Sequence, residues 1–145
     1  MSVFADSSAL VKLYADEEDH QLVRRLEAIA VAQIARVEVP AAIWRKQRKG
    51  ELSAADAQVL TAEFEADYFG SDGQQPRFAA VALVNQVLDD AARLCASHGL
   101  RACDGVQLSS ALAARVADQR CITFTAFDQV LRAAAAAEGF ALLPA

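Results

Sequence analysis

The chain has 145 residues, the length of one domain, and folding at that size hides roughly 70% of the unfolded surface, so a core forms without staples. Hydrophobic residues make up 54% and charged ones 23%, which excludes a disordered chain. A net charge of −5 argues against a generic nucleic-acid coat, although bases gather locally at Arg45, Lys46, Arg48 and Lys49.

In chain order, residues 2–5 form an apolar run that favours a strand, closed by Asp6 with Ser7 or Ser8 behind it as a helix cap. Ala9, Leu10, Leu13 and Tyr14 then repeat at helical spacing. A second helix is expected over residues 19–30, with Leu22, Leu26 and Ile29 on one face, and a brief strand over 31–34. From Val37 a helix carries Val39, Ala42, Ile43 and Trp44, turns basic and stops at Gly50; Pro40 is tolerable only in its first turn. Trp44 reads as core or interface.

Ser53 opens the next helix with Asp56 three residues on, and that helix reaches Tyr68 before a loop over 70–76. A strand over 78–83 and a helix over 85–98 follow, the latter closed by Gly99. The remaining elements are a helix over 103–116, a strand over 121–124, a helix over 129–138 and a strand over 140–143. Five short strands separated by helices predict a single α/β domain over residues 1–145, with a mostly parallel five-stranded sheet between helical layers.

Cys95, Cys103 and Cys121 have neither the number for a disulfide framework nor the spacing of a zinc site, and are expected as buried free thiols. His20 and His98 read as surface residues. No basic stretch precedes an apolar one at the start, and no apolar run reaches the ~20 residues of a membrane span. A cytoplasmic protein with no membrane partner is the expectation.

In open parallel sheets chemistry collects where strands end and helices begin. Asp6, Glu38, Asp104 and Asp128 all fall there, on one edge of the predicted sheet. Taken singly, Asp128 and Asp104 could be helix caps or first-turn acids, Glu38 a surface residue, and Asp6 part of a local turn. Converged, two carboxylates ~4 Å apart repel by roughly 4 kcal/mol at an effective dielectric of 20. Such a pocket either takes up protons or binds a cation, and an oxygen-only donor set suits Mg²⁺ or Mn²⁺. A site of that kind activates water and holds a phosphodiester. No glycine-rich phosphate loop and no nucleophile elbow compete with it.

Asp6-Ser7-Ser8-Ala9-Leu10-Val11-Lys12-Leu13-Tyr14 resembles the D-x-S-x-L-V-K-x-Y opening of the PIN-domain family, in its VapC-type toxin ribonucleases. Arg36-Val37-Glu38-Val39 resembles that family's second-acid segment, and Gly99-Leu100-Arg101-Ala102-Cys103-Asp104-Gly105-Val106-Gln107-Leu108 its G-L-R-A-x-D-A-x-H-L-A block. The stretch from Phe124 to Leu131, with Glu138-Gly139, resembles its closing segment. The resemblance implies a PIN-like three-layer fold and a metal site of Asp6, Glu38, Asp104 and Asp128, supported by Ser8. It further implies an endoribonuclease toxin using Mg²⁺ or Mn²⁺, a homodimer, and inhibition by a VapB-like antitoxin. Gly105 and Gln107 depart from the alanine and histidine of the pattern, and Ala126 replaces its small hydroxyl residue, which weakens any metal role for Thr125. Arg45, Lys46, Arg48 and Lys49 are the expected guides of the RNA backbone. A receiver-like phospho-acceptor would need a late lysine, and a haloacid-dehalogenase-type phosphatase an aspartate where Ser8 stands. A catalytically silent metal-binding module remains as the alternative.

Overall fold

Ser2–Ala5 is β1, and its neighbours in space come from opposite halves of the chain. The computed structural model describes residues 2–145. After β1 come α1 (Ser7–Val11), α2 (His20–Arg24), β2 (Ala28–Ala32), α3 (Ala35–Arg48), α4 (Ala54–Phe69) and β3 (Phe78–Val81). The chain continues through α5 (Asn85–His98), α6 (Ala102–Ala117), β4 (Cys121–Thr125), α7 (Gln129–Ala137) and β5 (Ala141–Leu143). The five strands lie in the order β3-β2-β1-β4-β5, every neighbouring pair parallel. The chain winds outward from β1 in one direction through β3, then in the other through β5. The strand order therefore reverses at the β1–β4 seam, the place where open α/β sheets put their sites.

Alternation along the strands sends residues to two cores, because successive side chains point to opposite faces. Phe4, Ala30, Ala32 and Phe124 pack with Leu94, Leu108 and Leu131 from α5, α6 and α7. Phe4 and Phe124 stack across neighbouring strands with ring centroids 5.4 Å apart. On the other face Ala5, Ile29 and Val31 pack with Leu10, Val39, Ile43 and Phe64 from α1, α3 and α4. Each fully buried side chain of this size stabilises by about 1.5–3 kcal/mol. The result is the three-layer α/β arrangement expected from the sequence, with a five-stranded sheet that is parallel throughout. Among the described residues no helix is long and apolar enough to cross a membrane.

Several local expectations are corrected. The helix foreseen over 19–30 shrinks to α2, and its last residues belong to β2, which starts three residues before the strand foreseen over 31–34. Ala28–Ala32 is covered on both faces, so it shows no polar alternation that would separate strand from helix. Pro40 is the sixth residue of α3, beyond the first turn, and denies the Arg36 carbonyl its helical partner. Neither Ser7 nor Ser8 caps α1; Asp6 does. Of the cysteines only Cys121 is buried, Cys95 is half-buried and Cys103 is exposed. His98 is half-buried and joined to Glu138 Oε1 at 2.8 Å. Trp44 is half-buried against the second core, as expected.

Candidate active site

At the end of β1 the Asp6 amide still follows the sheet, donating to the Thr125 carbonyl at 3.1 Å. One residue later the chain turns into α1, and the Asp6 side chain caps it. Its Oδ1 accepts the Ala9 N–H at 2.9 Å and the Ser8 hydroxyl at 2.8 Å. Both hydrogen bonds fall on the same oxygen. Asp6 is 5% exposed, and burial pushes its carboxyl up to about 7, against the pull of those two donors. The charges of Asp104 and Glu38 push in the same direction as burial.

Glu38 lies in the first turn of α3, where a carboxylate suits the helix dipole. Its Oε1 accepts the Ser7 hydroxyl at 2.9 Å and the Gln107 amide nitrogen at 2.8 Å. The same nitrogen also donates to Ser7 Oγ at 2.9 Å, closing a triangle between α1, α3 and α6. Asp104 lies in the first turn of α6, with Arg101 Nε 3.4 Å from its Oδ2. These groups meet in a cleft of about 570 Å³ lined by Ser7, Ser8, Glu38, Ala42, Arg45, Arg101, Ala102, Cys103 and Asp104. Cys103, though exposed, is partly desolvated by the cleft wall, which raises its thiol's proton affinity, and the neighbouring Glu38 and Asp104 charges raise it further.

Of the four acids named from the sequence, Glu38 and Asp104 line the cleft, and Asp6 is buried next to it, outside the lining, with both of their charges acting on its carboxyl. Asp128 is exposed and stands outside that lining; its Oδ2 accepts the Leu131 N–H at 2.9 Å as the N-cap of α7. Ser8, expected beside Asp6, donates its hydroxyl to Asp6 Oδ1. The basic strip divides. Arg45 lines the cleft, and with Lys46 and Lys49 an adjoining depression that also touches Ser8, Glu17 and Glu51. Lys46 is turned onto Glu17 at 2.5 Å and Glu51 at 3.7 Å, and Arg48 is exposed beyond both hollows. Thr125 gives its backbone to Asp6, while its buried hydroxyl has no partner among the described residues.

The sequence reading passed over Ser7 and Gln107 as contacts of the site. The available signal was spacing: Gln107 follows Asp104 by three residues, one turn along the same helix face.

Among the described residues no three acidic, histidine or cysteine donors close on one point. The donor chemistry fits a hard divalent cation held by one or two carboxylates with water in the other positions. Asp6 keeps one carboxylate oxygen that receives no hydrogen bond, and Glu38 and Asp104 lie near enough for their charges to act on it.

No family model and no curated protein matches the sequence. Among solved structures the chain is similar to the crystal structure of PAE2754 from Pyrobaculum aerophilum, at 19% identity and a TM-score of 0.63. That likeness covers 99% of this chain and 85% of the other. It is also similar to a toxin-antitoxin complex from Klebsiella pneumoniae, at 12% identity and a TM-score of 0.54, over 88% of this chain and 87% of the other. At such identities the likeness establishes a shared fold.

Proposed function

We propose that this chain is a metal-dependent endoribonuclease, the toxin of a type II toxin–antitoxin pair. The observation that carries the reading is a cleft lined by the Glu38 and Asp104 carboxylates next to Asp6, which is buried with no cationic side chain among its hydrogen-bond partners. A buried carboxylate is costly unless it is protonated or meets a cation. The ordered motifs of the sequence and the fold shared with a toxin-antitoxin complex support the same reading.

Asp6 and Glu38 would hold Mg²⁺ or Mn²⁺, with Asp104 beside them and Asp128 adding charge from outside the cleft. The ion, when bound, supplies Lewis-acid polarisation of a phosphate oxygen and lowers the pKa of a coordinated water. Ser8 fixes the rotamer of Asp6 through its 2.8 Å bond. Arg45 and Arg101 on the cleft walls, with Lys49 beyond, meet the phosphates of an RNA strand laid across the acids. Lys46, occupied by Glu17 and Glu51, drops out of that role. A homodimer and a VapB-like antitoxin complete the proposal.

A catalytically silent metal-binding module is the second reading, favoured by the failure of the three carboxylates to close on one point. Cleavage of a panel of structured RNAs with Mg²⁺ or Mn²⁺ separates the two, with Asp6→Asn, Asp104→Asn and EDTA as controls. Discrete cuts lost in all three controls support the nuclease. No cuts, with metal binding retained in calorimetry, favour the silent module. Cuts that survive both substitutions overturn the assignment of the site.

A further inference from the structure

We infer that Gln107 is a positioning residue for the metal site, aiming the Glu38 carboxylate through a donor clamp that it shares with Ser7. The inference rests on the reading of the acidic cluster as a divalent-cation site. Gln107 is 2% exposed and lies deep on α6, one turn past Asp104. A glutamine at that depth is costly unless its polar ends find partners. Its amide nitrogen spends both protons, on Ser7 Oγ at 2.9 Å and on Glu38 Oε1 at 2.8 Å. Ser7 then donates its own proton to the same Glu38 oxygen at 2.9 Å.

The direction of the amide follows from the chemistry. An ionised carboxylate only accepts, so the amide must present nitrogen to Glu38; turned over, its oxygen would face the carboxylate oxygen. The consequence is visible on the other side of the group, where Gln107 Oε1 is buried with no partner. Leucine has nearly the same volume and leaves no orphaned acceptor, so packing alone does not explain a glutamine here. The clamp occupies Oε1 of Glu38 and joins α1, α3 and α6, the helices that carry Ser8, Glu38 and Asp104. Partners of this kind behind a ligating carboxylate typically change metal affinity 10–100-fold.

The test is Mn²⁺ titration followed by electron paramagnetic resonance, on the wild type, Gln107→Leu, Gln107→His, Ser7→Ala and Asp6→Asn, with thermal melts of each in EDTA. Gln107→Leu is expected to weaken Mn²⁺ binding about 10–100-fold while its melting temperature in EDTA stays near that of the wild type. Gln107→His, which restores one N–H donor, is expected to recover part of the loss. A merely structural glutamine gives the opposite split, a lower melting temperature with Mn²⁺ affinity unchanged, and overturns the inference. If Gln107→Leu does not fold, Ser7→Ala carries the test, and wild-type Mn²⁺ affinity in it overturns the inference. Mn²⁺ binding lost in Asp6→Asn but intact in Gln107→Leu removes this inference and leaves the metal site standing. A wild type that binds no Mn²⁺ removes both.

Discussion

Asp6→Asn should stabilise the protein in the absence of metal, and the gain should depend on pH. The Asp6 carboxyl rises from an ordinary 3.8 to about 7, with burial as its main cause. The folded chain therefore holds a proton that the unfolded chain has already released. Its stabilising contribution is complete below pH ~4 and is lost as pH climbs through 7. Each tenfold change in proton affinity is worth about 1.4 kcal/mol, so the folded state loses up to about 4 kcal/mol between those limits. Asparagine keeps the shape and leaves an oxygen for the Ala9 N–H and the Ser8 hydroxyl, both now on Oδ1. A net gain of about 4 kcal/mol is expected at pH 8, a rise of roughly 8–16 °C in melting temperature for a chain of this length. At pH 4 the difference should nearly vanish. Urea and thermal melts in EDTA at several pH values measure it, and Mn²⁺ should then raise the wild type but not the variant. An Asp6→Asn protein less stable than wild type at pH 8, or a difference flat from pH 4 to 8, would refute the reasoning.

Three further outcomes are expected. Gly105→Ala puts a methyl group into Cys95 Sγ and 3.0 Å from the Ala91 carbonyl oxygen. It should cost about 1–3 kcal/mol in urea melts, and Cys95→Ala in the same chain should return more than half. Asp128→Ala should cost about 1 kcal/mol through the lost Leu131 cap, whereas Asp128→Asn, an equally good cap, should cost almost nothing. Arg45→Ala should weaken binding of a single-stranded oligoribonucleotide to the Asp6→Asn protein and flatten its salt dependence by about 0.7 in log–log slope. Lys46→Ala should leave that slope unchanged, because its charge is held by Glu17 and Glu51.

The layered fold was legible because most helices announce their ends. Ser53 caps α4 through Asp56, Gly99 closes α5 in a left-handed conformation, and Asp128 caps α7. β2 was less legible, since Ala28–Ala32 alternates alanine with isoleucine and valine and is buried on both sides. Pro40 misled in the other direction: a 14-residue helix packed by Val39 and Ile43 tolerates the lost hydrogen bond that a local rule forbids. Acids at strand ends pointed to Glu38 and Asp104, which line one cleft, and to Asp6, which is buried next to it. The Ser7–Gln107–Glu38 triangle was not legible, because its members are 31 and 69 residues apart in sequence and meet only through the sheet order. Lys46 shows the same limit, since the acids that occupy it come from two loops on either side of α3.

The reversal of strand order at β1 also sets a timetable for synthesis. β1 is completed on one side by β2 and on the other by β4, which leaves the ribosome about 120 residues later. At roughly 5–20 residues per second that is an interval of about 6–24 s. During it the face of Phe4 that stacks on Phe124 is bare, and the β1 edge is unpaired. Closing so long a loop costs about 4 kcal/mol of chain entropy, which only the finished seam repays. The Asp6 amide, the last rung of that seam, cannot reach Thr125 until β4 arrives. A nascent chain therefore exposes apolar strand surface to chaperones and offers Asp6 to water, and it has no assembled acidic cleft until its second half is made.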